Sequence, residues 1–186
     1  MRSPNFRPDY DGSVDWMPTV LDLIGHFSGG WHHLLQDVSG SEDDFKYATD
    51  ILSRKTRLAV RVRPPTRDYR ERFYWQITIT CRRRGRMQAE FDKLLEWGDL
   101  MFYGHATSPT PATGSITPWF LLNMKRWISI EATWRHEGSH LKNRNVPGEE
   151  CEFYWYDVRN LVVADPAIVL AASTAIPPLS VKEADA

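Results

Sequence analysis

Three groups of residues have the types and spacing to do chemistry. The first is an acid ahead of a basic strand. Asp50 precedes "RLAVRVR", whose alternation puts Arg57, Ala59, Arg61 and Arg63 on one face and Leu58, Val60 and Val62 on the other. The second is the run Arg82, Arg83, Arg84 and Arg86 around Gly85, just before a helix. Helix starts favour anions and arginines fork onto phosphate oxygens, so this run points to phosphate contact. The helix that follows carries Glu90 and Lys93 three residues apart, hence on one face. The third is "HEGSH", His136 to His140, which matches H-E-x-x-H. That pattern holds zinc only on a helix, where both histidines share a face beside the glutamate. Gly138 and Ser139 are poor helix formers, and the flanks read as strand and turn. The expectation is a chance match in a loop, with a zinc hydrolase on His136, Glu137 and His140 as the third-ranked function.

The elements that must position these residues follow from hydrophobic period. "DWMPTVLDLIGHF" has helical spacing at Val20, Leu21, Ile24 and Phe27, with a break at Gly29-Gly30. "FKYATDILS", "RLAVRVR" and "RFYWQITITCR" alternate as strands. In the last, Trp75, Ile77, Ile79 and Cys81 face in, and Gln76, Thr78 and Thr80 face out. "MQAEFDKLLEW" is a helix ended by Gly98. "DLMFYG" reads as a strand buried on both faces. "TPWFLLNMKRWISIEATW" supplies one or two more strands, "LKNRNVPGEE" reads as turn, and "CEFYWYDV" is a strand. "DPAIVLAAS" starts a short helix with Asp165 as cap and Pro166 first.

Short connections between the first three strands predict an antiparallel meander. Closing the first hairpin at residues 53–56 sets Asp50 opposite Ala59 and Ala48 opposite Arg61. Closing the next loop near Arg63 and Arg72 sets Ala59 opposite Gln76 and Arg57 opposite Thr78. Opposite residues share a face, so Asp50, Arg61, Arg63, Gln76 and Thr78 are expected to gather on one polar face.

The totals bound the function. A chain of 186 residues predicts one domain, taken as 14–175 with flexible termini at 1–13 and 176–186. No apolar run reaches 18 residues, which argues against a membrane span, and the N-terminus lacks the apolar core of a signal peptide. Two distant cysteines, Cys81 and Cys151, make no disulfide framework and suggest a reducing cytoplasm. The net charge of −1 conceals an asymmetry. From Arg54 to Arg86 there are twelve Lys/Arg against Asp68 and Glu71, which is +10 in an otherwise acidic chain. The usual partner of such a block is a polyanion.

The order helix, three strands, helix, strand resembles the α/β core of the PD-(D/E)XK, or restriction-endonuclease-like, nuclease superfamily, and of its phage-type members in particular, with additional C-terminal strands. The matching pieces are "YATDIL", "VRVR", "YWQITITCR" and "AEFDKLLEWGDLMFYG". The resemblance implies one or two Mg²⁺ ions held by acids and used to activate water against a phosphodiester. The superfamily's E-x-K on the second strand is missing here: the positions hold Ala59, Arg61 and Arg63, or Gln76-x-Thr78 on the next strand. Arginine binds phosphate but serves as neither base nor metal ligand. Some members carry the missing groups on the following helix, which here offers Glu90 and Lys93.

The resemblance therefore implies a relocated catalytic site of Asp50, Gln76, Glu90 and Lys93, with Asp50 and Glu90 as metal ligands. Arg61, Arg63, Arg82, Arg83, Arg84 and Arg86 would hold the nucleic acid, DNA rather than RNA. The leading expectation is a metal-dependent nuclease. The alternative is a catalytically inactive nucleic-acid-binding module of the same fold.

Overall fold

A computed structural model describes residues 15–27, 36–37, 51–53, 56–63, 65, 75–83, 90–130, 139–146 and 149–178. In chain order they form α1 (Met17–Phe27), β1 (Gln36–Asp37), β2 (Ile51–Ser53), β3 (Thr56–Arg63), β4 (Gln76–Arg83), α2 (Glu90–Trp97), β5 (Leu100–Ala106) and β6 (Ile116–Asn123). Then come α3 (Met124–Ile128), β7 (Ser139–Val146), β8 (Glu149–Asp157), α4 (Val158–Ala164) and β9 (Val169–Ala172). Short 3₁₀ turns sit at Pro111–Thr113 and Pro166–Ile168. The class is mixed α/β, as expected. Among the described residues no helix is long and apolar enough to cross a membrane.

Among the described residues there are two sheets: a six-stranded one in the order β1-β2-β3-β5-β6-β9 and a three-stranded one in the order β4-β8-β7. The first hairpin has the expected register, Ile51 opposite Leu58 and Ser53 opposite Thr56. The meander stops there. β3 pairs in parallel with β5, setting Ala59 against Met101, Arg61 against Tyr103 and Arg63 against His105. β4 joins the other sheet, with Gln76 opposite Asp157 and Thr78 opposite Trp155. The expected pairs Ala59–Gln76 and Arg57–Thr78 are therefore corrected.

Burial explains the sequence pattern of the large sheet. Leu58, Val60, Val62, Phe102 and Leu121 pack against Trp16, Met17, Val20 and Ile24 at α1. Ala59, Met101, Tyr103, Phe120 and Leu122 pack on the other side against Ile77, Ile79 and Tyr156 of the small sheet and Phe91 and Leu94 of α2. A strand covered on both faces has no side for water, so β5 is apolar nearly throughout. Trp75 packs against Phe120 with ring centroids 5.9 Å apart, inward as the alternation requires.

Helix ends obey local chemistry. Gly98 N–H donates to the Leu94 carbonyl at 2.9 Å, and a Cβ there would sit 2.6 Å from that oxygen. Only glycine permits so close a turn out of α2. The stretch after β6 was expected as strand, yet it becomes α3. The Asn123 side chain accepts the Arg126 N–H at 3.0 Å, an N-cap that starts the helix and buries Met124 and Trp127. Asp157 does the same for α4, accepting from Arg159 N–H at 2.9 Å. Asp165 caps the element that begins at Pro166, as expected, but in place of the expected short helix there is a single 3₁₀ turn leading into β9. "LKNRNV", expected as turn, lies in β7 and pairs with β8. Ile176, where the flexible tail was expected to begin, packs against the core.

Candidate functional site

The two sheets meet at a polar seam. β4 is an edge of the small sheet, and in an antiparallel ladder alternate residues turn their backbone N–H and C=O away from the neighbour. Those groups must find partners when buried. Here side chains from the large sheet and α2 supply them. Thr78 N–H donates to the Tyr103 hydroxyl at 3.1 Å. Arg63 Nη2 donates to the Thr78 carbonyl at 3.1 Å and also to Thr78 Oγ1. Thr80 N–H donates to Glu90 Oε2 at 3.4 Å. His105 hydrogen-bonds the Gln76 backbone. Four side chains thus stand where a neighbouring strand would be.

The local folding that allows this is plain. Arg61 pairs with Tyr103 and Arg63 with His105 in the parallel ladder, so all four share one face of the large sheet. Arg63 Nε donates to the Tyr103 hydroxyl at 2.9 Å, and its guanidinium carbon lies 5.8 Å from that ring's centroid. His105 meets the Tyr103 ring edge-on at 5.6 Å. Arg61 forms a salt bridge with Glu90, the two side chains being 24% and 16% exposed.

The charges are set by this packing. Burial pushes the Glu90 carboxyl up, but the Arg61 guanidinium beside it, the Arg63 charge and the Thr80 N–H outweigh burial and hold it below its ordinary value. His105 is 3% exposed. Burial, aided by the Arg63 charge, lowers its pKa to about 4 against the pull of the Gln76 backbone bond. The imidazole is therefore neutral at physiological pH.

The expected site residues fall into several groups. Glu90, Arg61 and Arg63 come together with the Gln76 backbone in the seam. Lys93 lies half-buried on α2, one turn from Glu90. Asp50, Arg84 and Arg86 lie outside the described residues. Arg82 and Arg83 end β4, in register with Glu152 and Cys151. His136 and Glu137 also lie outside the described residues, whereas His140 is in strand β7 opposite Tyr154, not on a helix. Arg61 and Arg63 point into protein, where the sequence suggested an open phosphate-binding face.

The Mg²⁺ that the family resemblance implies does not fit the groups seen here. Glu90 Oε2 is already engaged by Arg61 and the Thr80 N–H, and two guanidinium charges beside it repel a divalent cation. Among the described residues, no three His, Cys, Asp or Glu side chains gather as a metal site.

Sequence reasoning missed Tyr103 and His105. Their signal was present: two polar residues, two apart, in a strand otherwise buried on both faces. The chain matches no family model, no curated protein and no solved structure in comparisons with each.

Proposed function

We propose that the chain is a nucleic-acid-binding module, with DNA as its preferred ligand, that grips phosphates through the basic segment 54–86 and does not cleave them. The observation that carries the non-cleaving half is the engagement of Glu90 by Arg61 and the Thr80 N–H. A carboxylate so held supports a sheet edge and is a poor metal ligand. The binding half is supported by charge: twelve Lys/Arg against two acids in one segment. Arg57, Arg61 and Arg63 make contacts inside the protein, so phosphate contact falls to the others, first Arg82, Arg83, Arg84 and Arg86. We read α1, the β2–β3 hairpin, α2 and β5 as a restriction-endonuclease-like core that keeps the basic residues and has given up the metal centre.

The test is binding and cleavage on the same DNA. With about six phosphate contacts, affinity should fall by roughly three orders of magnitude between 50 and 200 mM salt. Replacing Arg82, Arg83 and Arg84 by alanine should weaken binding and flatten that slope. No cleavage should occur with Mg²⁺ or Mn²⁺. Cleavage that disappears in Asp50→Asn would return the chain to the nucleases, and absence of binding at low salt would end the reading altogether.

A further inference from the structure

A second polar feature lies away from the seam, where the start of β3, the end of α2 and α3 converge. Asp99 ties these elements together. Its Oδ2 accepts the Arg57 N–H at 2.8 Å, its Oδ1 pairs with the Lys125 ammonium at 2.5 Å, and its carbonyl accepts the Met124 N–H at 3.0 Å. Beside it opens a cleft of about 340 Å³ whose walls include Arg57, Leu95, Trp97, Lys125 and Ile128, with Glu96 also lining it. That volume is at the small end of ligand sites.

We infer that this cleft seats one nucleotide unit of a single-stranded nucleic acid, the base against Trp97 and the phosphate at Lys125. The inference rests on the nucleic-acid reading above and places one contact within it. The Arg57 guanidinium carbon lies 5.5 Å from the Trp97 ring centroid. Arg57 and Trp97 both line the cleft, so a base entering here stacks on this guanidinium–indole pair, which accepts any base without regard to sequence. Leu95 and Ile128 extend the apolar wall. Both carboxylate oxygens of Asp99 are engaged by donors of the protein, which mutes its repulsion of an anion. The Lys125 side chain is 75% exposed, and an ammonium has three donors, so it can keep Asp99 and take a phosphate oxygen. Glu96 is exposed on α2 and disfavours a phosphate on its own side, which directs the phosphate toward Lys125. Arg57 itself belongs to the basic segment.

The test uses the whole chain and a fluorescent oligothymidylate carrying one 5-iodouracil for photocrosslinking. The expected result is a crosslink in the peptide containing Trp97. Trp97→Leu should lower affinity by roughly 5- to 150-fold, the range expected for one stacked base, while Trp97→Phe keeps most of it. Lys125→Ala should weaken binding and reduce the salt slope by about one phosphate contact. All three variants should keep the wild-type circular dichroism spectrum. Binding with crosslinks elsewhere, or equal affinity for Trp97→Leu and Trp97→Phe, overturns this site and leaves the nucleic-acid reading standing. No binding of the oligothymidylate, with duplex DNA bound, overturns the single-strand site alone. No binding of either overturns both.

Discussion

The Tyr103 hydroxyl of β5 reaches across the layers to β4, where it accepts the Thr78 N–H at 3.1 Å and lies 3.0 Å from Thr78 Oγ1. Tyr103 is fully buried, so this contact is a joint between two sheets that share no backbone ladder among the described residues.

Removing that joint should cost stability. Tyr103→Phe leaves the Thr78 N–H and the Arg63 Nε without their acceptor. The expected loss is about 1–3 kcal/mol, the penalty of an unmet buried donor. Urea denaturation of the two proteins measures it, and an unchanged midpoint would mean that water replaces the hydroxyl.

The Arg61–Glu90 pair should behave as a buried ion pair, since both side chains are less than a third exposed. Arg61→Leu strands the carboxylate and should cost about 3 kcal/mol. Adding Glu90→Gln removes the stranded charge and keeps an acceptor for the Thr80 N–H. The double variant should therefore be more stable than Arg61→Leu alone. A double variant less stable than the single one would show that Glu90 is held by something other than Arg61.

Acid should loosen the seam in two stages. The folded pKa of His105, about 4, lies below its ordinary 6.5. Between these values the unfolded chain binds more protons, so stability rises with pH across the window and is lost as pH falls from 6.5 to about 4. The shift corresponds to about 3 kcal/mol for this buried group. Glu90, lowered from 4.5, adds its own loss only below that value. Denaturation midpoints between pH 4.5 and 6.5 should thus report His105, and His105→Gln should flatten the slope there. Parallel curves for the two proteins would assign the titration elsewhere.

Close packing of β5 on β6 should make Gly104 intolerant. A Cβ at this position overlaps Ile116 Cγ2 and comes within 3.2 Å of Phe102 Cε1 and Trp119 Cβ. Ile116 is buried and β-branched, so it cannot swing aside. Gly104→Ala should destabilise by about 1–3 kcal/mol. A variant as stable as the parent in urea would show that the strands can separate to admit a methyl group.

Much of the local structure was legible. α1, the β2–β3 hairpin with its register, the end of α2 at Gly98, the doubly buried β5 and strand β8 all follow from period, turn residues and chain length. Each depends on interactions within a few residues. α3 was missed because "WFLLNMKRW" is apolar enough to pass for strand. The decisive signal was the single capping residue Asn123.

Alternation determined which side of each strand is apolar: Ile77 and Ile79 inward, Thr78 and Thr80 turned away. It could not determine which strand lies beside β4, because an inner meander strand and the edge of a second sheet have the same period. Tertiary structure decided that, and the site with it. Arg61 and Arg63 read in sequence as part of an open basic block. They turn inward because β5 and α2, about thirty to forty residues further on, bring Tyr103, His105 and Glu90 against them. A backbone edge needs partners wherever it is buried, and which residues meet that need depends on contacts between distant segments, which no local pattern records.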